Sequence, residues 1–445
     1  MSDDRTYAVV GGGVSGIAAA HYLQKAGLQV ELLERGSQLG GRVGSCKLGD
    51  RWLDFGGKNI GRNYHLFREF TSALGDNPYE YFGINSSQVR DGRIVTFDSS
   101  RRWSTLLGLL RQCSPADLVR FARLCLRVKR HENNGYLGSP YFNALAERLD
   151  QRPAGEYFGA EFCRRLLRPM TVRMNGAEPD EVFMGNMGSN IRMILDSYDQ
   201  LELGMSRVID QFAATVKVRP GARVESLVMR NGRLSGLRIA SANGGNEERE
   251  YAGVVLALRA PEAAPVLETH AAELAELLRE VRYFPVALVL ARYRREIFSP
   301  EVRALVFGDD EVLSNAGVYG IDDLDVVRYT FSGRAARALL ADESDPEAWL
   351  GRGEEALNRY VPVNESERLG FVSQHWRRGL CAYTPYYPRF EARMRSSLAG
   401  LPGVFLTGDY IRGASIEACF RAAKECASKV MKAEAGAGGE GAGRG

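Results

Sequence analysis

The sequence predicts an α/β protein in which a parallel-sheet domain is interleaved with a mixed-sheet domain and a helical insert. Three observations carry this. A strand, glycine turn, helix and second strand follow one another through residues 7–42. Near the other end, an apolar strand closing on Gly-Asp leads into a long helix over 403–431. Between them the hydrophobic period is helical over 103–193 and turns strand-like from 216 onward. A chain of 445 residues is also too long for one average domain.

The opening unit is the most informative. Residues 7–10 form a short β-prone run before Gly11, Gly13 and Gly16, which spell G-x-G-x-x-G around Val14 and Ser15. The first glycine permits a tight turn, the second lets backbone approach a pyrophosphate, and the third lets helix pack on strand. The helix over 17–25 presents its N-terminal amides and dipole to the same place. Gly27 ends it, residues 28–33 are strand again, and Glu34 closes that strand with Arg35 behind it. An acid there can accept both hydroxyls of an adenosine ribose. A glycine turn without a ligand is the alternative. Strand, helix, second strand and terminal acid in register argue instead for a Rossmann-like dinucleotide site.

The next elements follow in order. Leu39-Gly40-Gly41-Arg42 is a second glycine turn, where bare backbone can lie against a cofactor and Arg42 can reach phosphates. A short strand at 52–55 enters another double glycine, Gly56-Gly57, ahead of Lys58. A hairpin is predicted over 90–99. Ser114 and Pro115 are a good helix start, and the helix over 114–130 has one apolar face and a basic remainder. Such a helix can lie on an anionic membrane; a solvated face of a helical subdomain is the favoured reading. Helices continue over 141–193 and 207–215. Strands at 216–218, 223–229 and 234–239 flank an Asn231-Gly232 turn. The apolar run 253–258 suits a fully buried parallel strand that rejoins the first sheet.

A second sheet is expected from strands at 303–307, 315–319 and 326–332, and further strands are expected at 281–293 and 370–376. Helices are expected at 345–360, 390–398 and 415–431, with a Tyr- and Pro-rich loop at 383–388. The Gly/Ala tail 434–445 is too poor in apolar residues to pack and reads as disordered. The implied division is 1–100, 203–265 and 401–433 for the nucleotide domain, 101–202 for the insert, and 266–400 for the substrate domain.

Composition narrows the function. The chain is 45% hydrophobic and 25% charged with net charge +3, which gives no reason to expect a nucleic-acid partner. Its seven scattered cysteines, with no C-x-x-C, suggest a reducing, cytoplasmic setting and no metal site. The polar start, MSDDR, leads directly into the first strand, so no signal peptide is expected. No apolar run approaches the ~18 residues of a membrane span.

VVGGGVSGIAAAHYLQKAGLQVELLERGSQLGGR and GVFLTGDYIRGASIEACFRAA resemble the two FAD-binding ends of the flavin amine oxidase superfamily, which includes amine oxidases, protoporphyrinogen oxidases and carotene desaturases. RLLRPMTVRMNGAEPDEV, LGMSRVI and RVESLVMRNGRLSGLRI resemble family segments in the expected order. The resemblance implies a glutathione-reductase-like FAD domain. It would place Gly11, Gly13, Val14, Ser15, Gly16, Gly41 and Arg42 at the pyrophosphate and Glu34 with Arg35 at the adenosine ribose. Gly56 and Gly57 would lie near the isoalloxazine, and Val224 would meet the adenine. Asp409, after Gly408, would bind the ribityl or phosphate region. Ser415, Ile416 and Glu417 would aim helix amides at the flavin pyrimidine ring, where reduced flavin carries negative charge.

Departures from the family pattern tilt the substrate. Amine oxidases carry a lysine in the strand that reads VRYFPVALVLARY here, and this stretch has none. The segment is closer to protoporphyrinogen oxidases and desaturases, which implies hydride removal from a larger, partly apolar molecule. An amine oxidase for a specialised amine, or a flavin-dependent isomerase without net redox, is the alternative. Lys58, His375, Trp376, Tyr383 and Tyr386 are candidates at the flavin face, each with a structural reading beside it: surface charge, strand packing or aromatic core. Cys381 lies where some members tether FAD, and a buried thiol is the favoured reading. Without a second dinucleotide fingerprint, oxygen or a quinone is the expected electron acceptor.

Overall fold

In a computed structural model of the chain, residues 6–82, 86–90, 93–97, 113–240, 245–341 and 345–441 are described. The first strand, Thr6–Val10, is buried from Tyr7 onward and sits at the centre of a five-stranded parallel sheet. Gln29–Leu33 and Lys217–Arg219 extend that sheet on one side; Gly253–Leu256 and Val404–Leu406 extend it on the other. Val10 is level with both Leu33 and Leu256, so the glycine turn emerges at the carboxyl ends of the strands. A parallel strand covered on both faces needs an unbroken apolar run, which is why these segments read as continuous rather than alternating.

The helix Val14–Lys25 covers one face together with the last helix, Ile416–Gly441. Tyr22 and Phe420 meet edge-on there, with ring centroids 6.3 Å apart. An antiparallel meander of Arg223–Arg230, Arg233–Ala240 and Asn246–Glu250 stands beside the sheet. Asn231 and Gly232 both take positive φ, 49° and 74°, as a two-residue hairpin turn demands.

The second sheet has seven strands in the order Arg368–Tyr383, Arg282–Tyr293, Val326–Phe331, Asn315–Val318, Ala304–Val306, Ser86–Arg90, Arg93–Phe97. The early hairpin, grouped by sequence with residues 1–100, therefore extends this second sheet: Leu305 pairs with Ser87 and Val306 with Gln88. A hairpin pattern is local and carries no information about which sheet it joins. The helices Pro115–Arg130, Pro140–Leu149, Arg168–Asn175 and Met187–Leu195 form the insert around Phe142, Phe162 and Ile191. The predicted start of that insert, 101–112, lies outside the described residues.

The last helix runs to Gly441, past its expected end at Met431 and into the tail assigned to disorder. Alanines at 433, 435 and 437 are strong helix formers, which a test based only on apolar content overlooks. Residues 442–445 lie outside the described residues. Among the described residues, no helix is long and apolar enough to cross a membrane.

Candidate active site

One cavity of about 1740 Å³ runs from the glycine fingerprint to the second sheet and the insert. Ligand pockets typically enclose roughly 300–1,000 Å³, so it has room for a dinucleotide and a second molecule. Gly11, Gly13, Val14, Ser15, Glu34, Arg35, Gly41, Arg42, Gly56, Gly57, Val224, Gly408, Asp409, Ser415 and Ile416 all line it. Residues from both ends of the chain and from its middle thus face a single space.

The glycines differ in why they are glycines. Gly11 has φ +103°, and a Cβ on Gly16 would overlap the Gly11 carbonyl oxygen. Those two are dictated by the turn and by helix–strand packing, and Gly16 itself lies off the cavity wall. Gly13 is different. A Cβ there meets protein atoms only at 4.0 Å, beside Gly40 and Gly41, so its bareness leaves space in the cavity.

Glu34 is held rigidly. Its Oε2 accepts from the Gly12 amide and its Oε1 from the Gly36 amide, both at 2.7 Å. Each oxygen keeps a lone pair that a ribose hydroxyl can use. Arg42 bridges the halves: it donates to the Gly379 carbonyl at 2.9 Å and pairs with Asp409 at 2.7 Å. Asp409 also accepts from the Tyr283 hydroxyl at 2.5 Å. Burial opposes the charge on Arg42, and Asp409 more than offsets it, so the guanidinium sits above its ordinary range. Burial, reinforced by Asp409, pushes Tyr283 well above the usual phenol range.

Ser415 precedes the last helix and its Oγ accepts from the Ala418 amide at 3.2 Å. Ile416 packs toward Gly57. Glu417, expected beside them at the flavin, turns its side chain elsewhere: its carboxylate accepts from the Leu66 and Phe67 amides at 3.0 and 3.1 Å. It caps the helix His65–Leu74, whose own N-cap residue, Tyr64, has no capping side chain. Helix position alone does not say which way such a side chain points.

Of the candidate chemical residues, Lys58, Trp376 and Tyr383 line the cavity; His375 and Tyr386 do not. Trp376 pairs with Val286 and His375 with Ala287, so neighbours on one strand face opposite sides of the sheet. Val286 lines the cavity, while Ala287 lies in the core on the other face and His375 meets Trp349 edge-on at 5.3 Å. Tyr386 takes φ +49° before the helix Tyr387–Ala399, stacked under Arg389.

Lys58 is buried, not a surface charge. Its Nζ donates to Gln200 Oε1 at 2.6 Å and to the Tyr319 carbonyl at 2.5 Å. Burial, with Arg328 adding to it, pushes it well below the usual lysine range. The Tyr383 hydroxyl accepts from the Ala414 amide at 2.9 Å, and burial raises it above the ordinary range. Cys381 lines the cavity as a fully buried thiol that burial holds well above the ordinary thiol range.

A family model described as flavin containing amine oxidoreductase matches residues 14–431. The chain belongs to that family. The dinucleotide that the fingerprint left open is therefore FAD. The chain spans less than half the length of the curated relatives it matches first. A Mycobacterium tuberculosis protein provisionally assigned as a flavin-containing monoamine oxidase is 27% identical over 41% of this chain and 40% of its own. Solved structures match more widely. A protein from Exiguobacterium sp. 255-15, provisionally assigned as a protoporphyrinogen oxidase, has a TM-score of 0.73 at 19% identity over 97% of this chain and 99% of that one. Cyclohexylamine oxidase from Brevibacterium oxydans IH-35A gives a TM-score of 0.73 at 19% identity over the same shares. At that identity the likeness shows the fold alone, and two different chemistries share it equally.

The flavoprotein cavity also contains residues that the sequence reading missed. Arg173 and Arg328 line its far end with Leu288, Met170 and Met174. One signal was available: in VVRYTF, Arg328 and Thr330 alternate with buried Val327, Tyr329 and Phe331, placing a guanidinium on the second face of a central strand.

Proposed function

We propose that this protein is an FAD-dependent oxidoreductase that removes hydride from carbon of a larger, partly apolar organic substrate. It resembles protoporphyrinogen oxidases and desaturases in this more than oxidases of simple amines. One observation carries the choice. The strand Arg282–Tyr293, where amine oxidases carry a lysine, presents Val286 and Leu288 to the cavity. The insert adds apolar lining as well, with Leu166, Pro169, Met170 and Met174.

FAD, when bound, supplies the hydride acceptor at flavin N5. The chain supplies placement. Gly13 leaves room where a pyrophosphate would sit beside the N-terminus of Val14–Lys25, Glu34 would hold the adenosine ribose, and Val224 would meet the adenine. Arg42 neutralises phosphate charge while Asp409 and Gly379 hold it in position. The N-terminus of the last helix, entered through Ser415 and Ile416, stabilises negative charge on the pyrimidine side. Val286, Leu288 and the methionines exclude water from the reacting carbon.

Burial lowers Lys58 well below the usual lysine range, which suits it to hold or release a proton, while Tyr383 stays protonated. Burial holds the Cys381 thiol high, which favours a buried structural thiol there over a covalent tether for FAD. Oxygen or a quinone reoxidises the flavin.

The test is anaerobic. Purified yellow protein is offered simple amines, porphyrinogens and polyenes, and the visible flavin band is followed. Bleaching by a porphyrinogen or a polyene is expected. Bleaching by simple amines alone rejects the desaturase-like reading, and a colourless protein rejects the flavin site.

A further inference from the structure

The far end of the cavity holds more positive charge than the protein around it answers. Arg173, on Arg168–Asn175, and Arg328, on Val326–Phe331, line it, as does Arg303 just before Ala304–Val306. Among the described residues, none of the three has an ion-pair partner. Arg328 donates through Nη2 to the Gly56 carbonyl at 2.9 Å, and its Nη1 is buried with no hydrogen-bond partner. Arg303 Nε is buried and unpartnered in the same way.

The nearby acids do not answer this charge. Asp196 lines the cavity, but its Oδ1 accepts from Asn63 and from the Ser197 amide. Asp54 pulls on Arg328 from outside the cavity wall, with its Oδ1 taken by Ser45 and the Met205 amide. Burial pushes Arg328 down to about 10, with Arg173 acting in the same direction. Arg173 presents its guanidinium openly to this cavity, while Arg328 is half-buried with an orphaned Nη1. Two guanidiniums that oppose each other, one of them desolvated, are costly unless an anion joins them. The planar guanidinium fork matches a carboxylate in particular. The apolar lining beside them, Met170, Met174 and Leu288, suits a hydrocarbon body.

We propose that Arg173 and Arg328 hold a carboxylate of the substrate, so that the protein acts on an organic acid with an apolar body. This rests on the far end of the cavity being the substrate site. A protonated amine would be repelled by the same two groups.

Holoprotein is titrated calorimetrically with 4-phenylbutanoate, 4-phenylbutanamide and 4-phenylbutylamine, one apolar body with three heads. The acid is expected to bind at least tenfold more tightly than the amide, and the amine no more tightly than the amide. Arg173→Met and Arg328→Met should each weaken the acid tenfold or more and leave the amide within twofold; Arg173→Lys should recover part of the loss. The proposal is overturned if amide or amine binds as tightly as the acid, or if the acid gives no binding. It is also overturned if both methionine variants, with unchanged flavin absorbance and circular dichroism, keep the preference. The wild-type series decides by itself should a variant fail to fold. Heat is read without turnover, so flavin bleaching by amines alongside an intact acid preference would reject the desaturase-like chemistry and leave the anion site standing.

Discussion

Gly13 and Gly16 lie within one helical turn and respond to a methyl group in opposite ways. Gly16→Ala would drive Cβ into the Gly11 carbonyl, and soluble, folded protein should be lost. Gly13 has φ −75° and ψ 179°, open to any residue, and its added Cβ meets protein only at 4.0 Å. Gly13→Ala should fold with an unchanged circular dichroism spectrum and purify with little flavin; full flavin content would remove Gly13 from the cofactor site. Lys58 offers a second residue-scale test. Because it sits well below 10.5, the folded chain binds fewer protons than the unfolded chain between its folded value and 10.5. Its contribution to stability therefore rises with pH across that window and is lost as pH falls through the folded value. In urea unfolding, wild type should gain on Lys58→Met as pH rises towards 10.5, with a slope of up to one proton. A pH-independent difference between the two would contradict the lowered value.

Glu417 shows how one element completes another. The helix His65–Leu74 begins without a cap of its own and borrows both carboxylate oxygens from the last helix. Glu417→Ala should cost about 1–3 kcal/mol in urea unfolding by leaving two amides unanswered, and Glu417→Gln, which keeps one acceptor, should cost less. A loss under a few tenths of a kcal/mol would mean water replaces the carboxylate. The same scale explains what the sequence made legible. Elements whose burial is two-sided, such as Thr6–Val10 and Gly253–Leu256, announce themselves as apolar runs. The fingerprint does so too, because backbone geometry forces its residue types. Parity on a half-buried strand is another matter. Whether His375 or Trp376 faces the cavity depends on pairing with Ala287 and Val286 in a strand far away in sequence. Arg173 was hidden for a related reason: an arginine on a helix reads as surface, and only the fold sets it on the cavity wall.

At the scale of the molecule, chain segments far apart in sequence share one parallel sheet and one cavity. FAD that touches all of them binds the folded state and not the unfolded one, so it should act as a staple. Saturation at a hundred times its dissociation constant adds about 2.7 kcal/mol. Protein stripped of flavin should melt at a lower temperature, and the midpoint should climb with added FAD. A melting point insensitive to FAD would mean that the segments hold together without it. Sheet order has a further consequence for biosynthesis. Gly253–Leu256 has Thr6–Val10 on one side and Val404–Leu406 on the other, so its second edge stays open until residues 404–406, about 150 positions later, have been made. The glycine fingerprint of the cofactor site waits for Gly408 and Asp409, so flavin cannot meet its full set of contacts before that segment is made. Until then the nascent chain exposes the unpaired edge of an apolar strand.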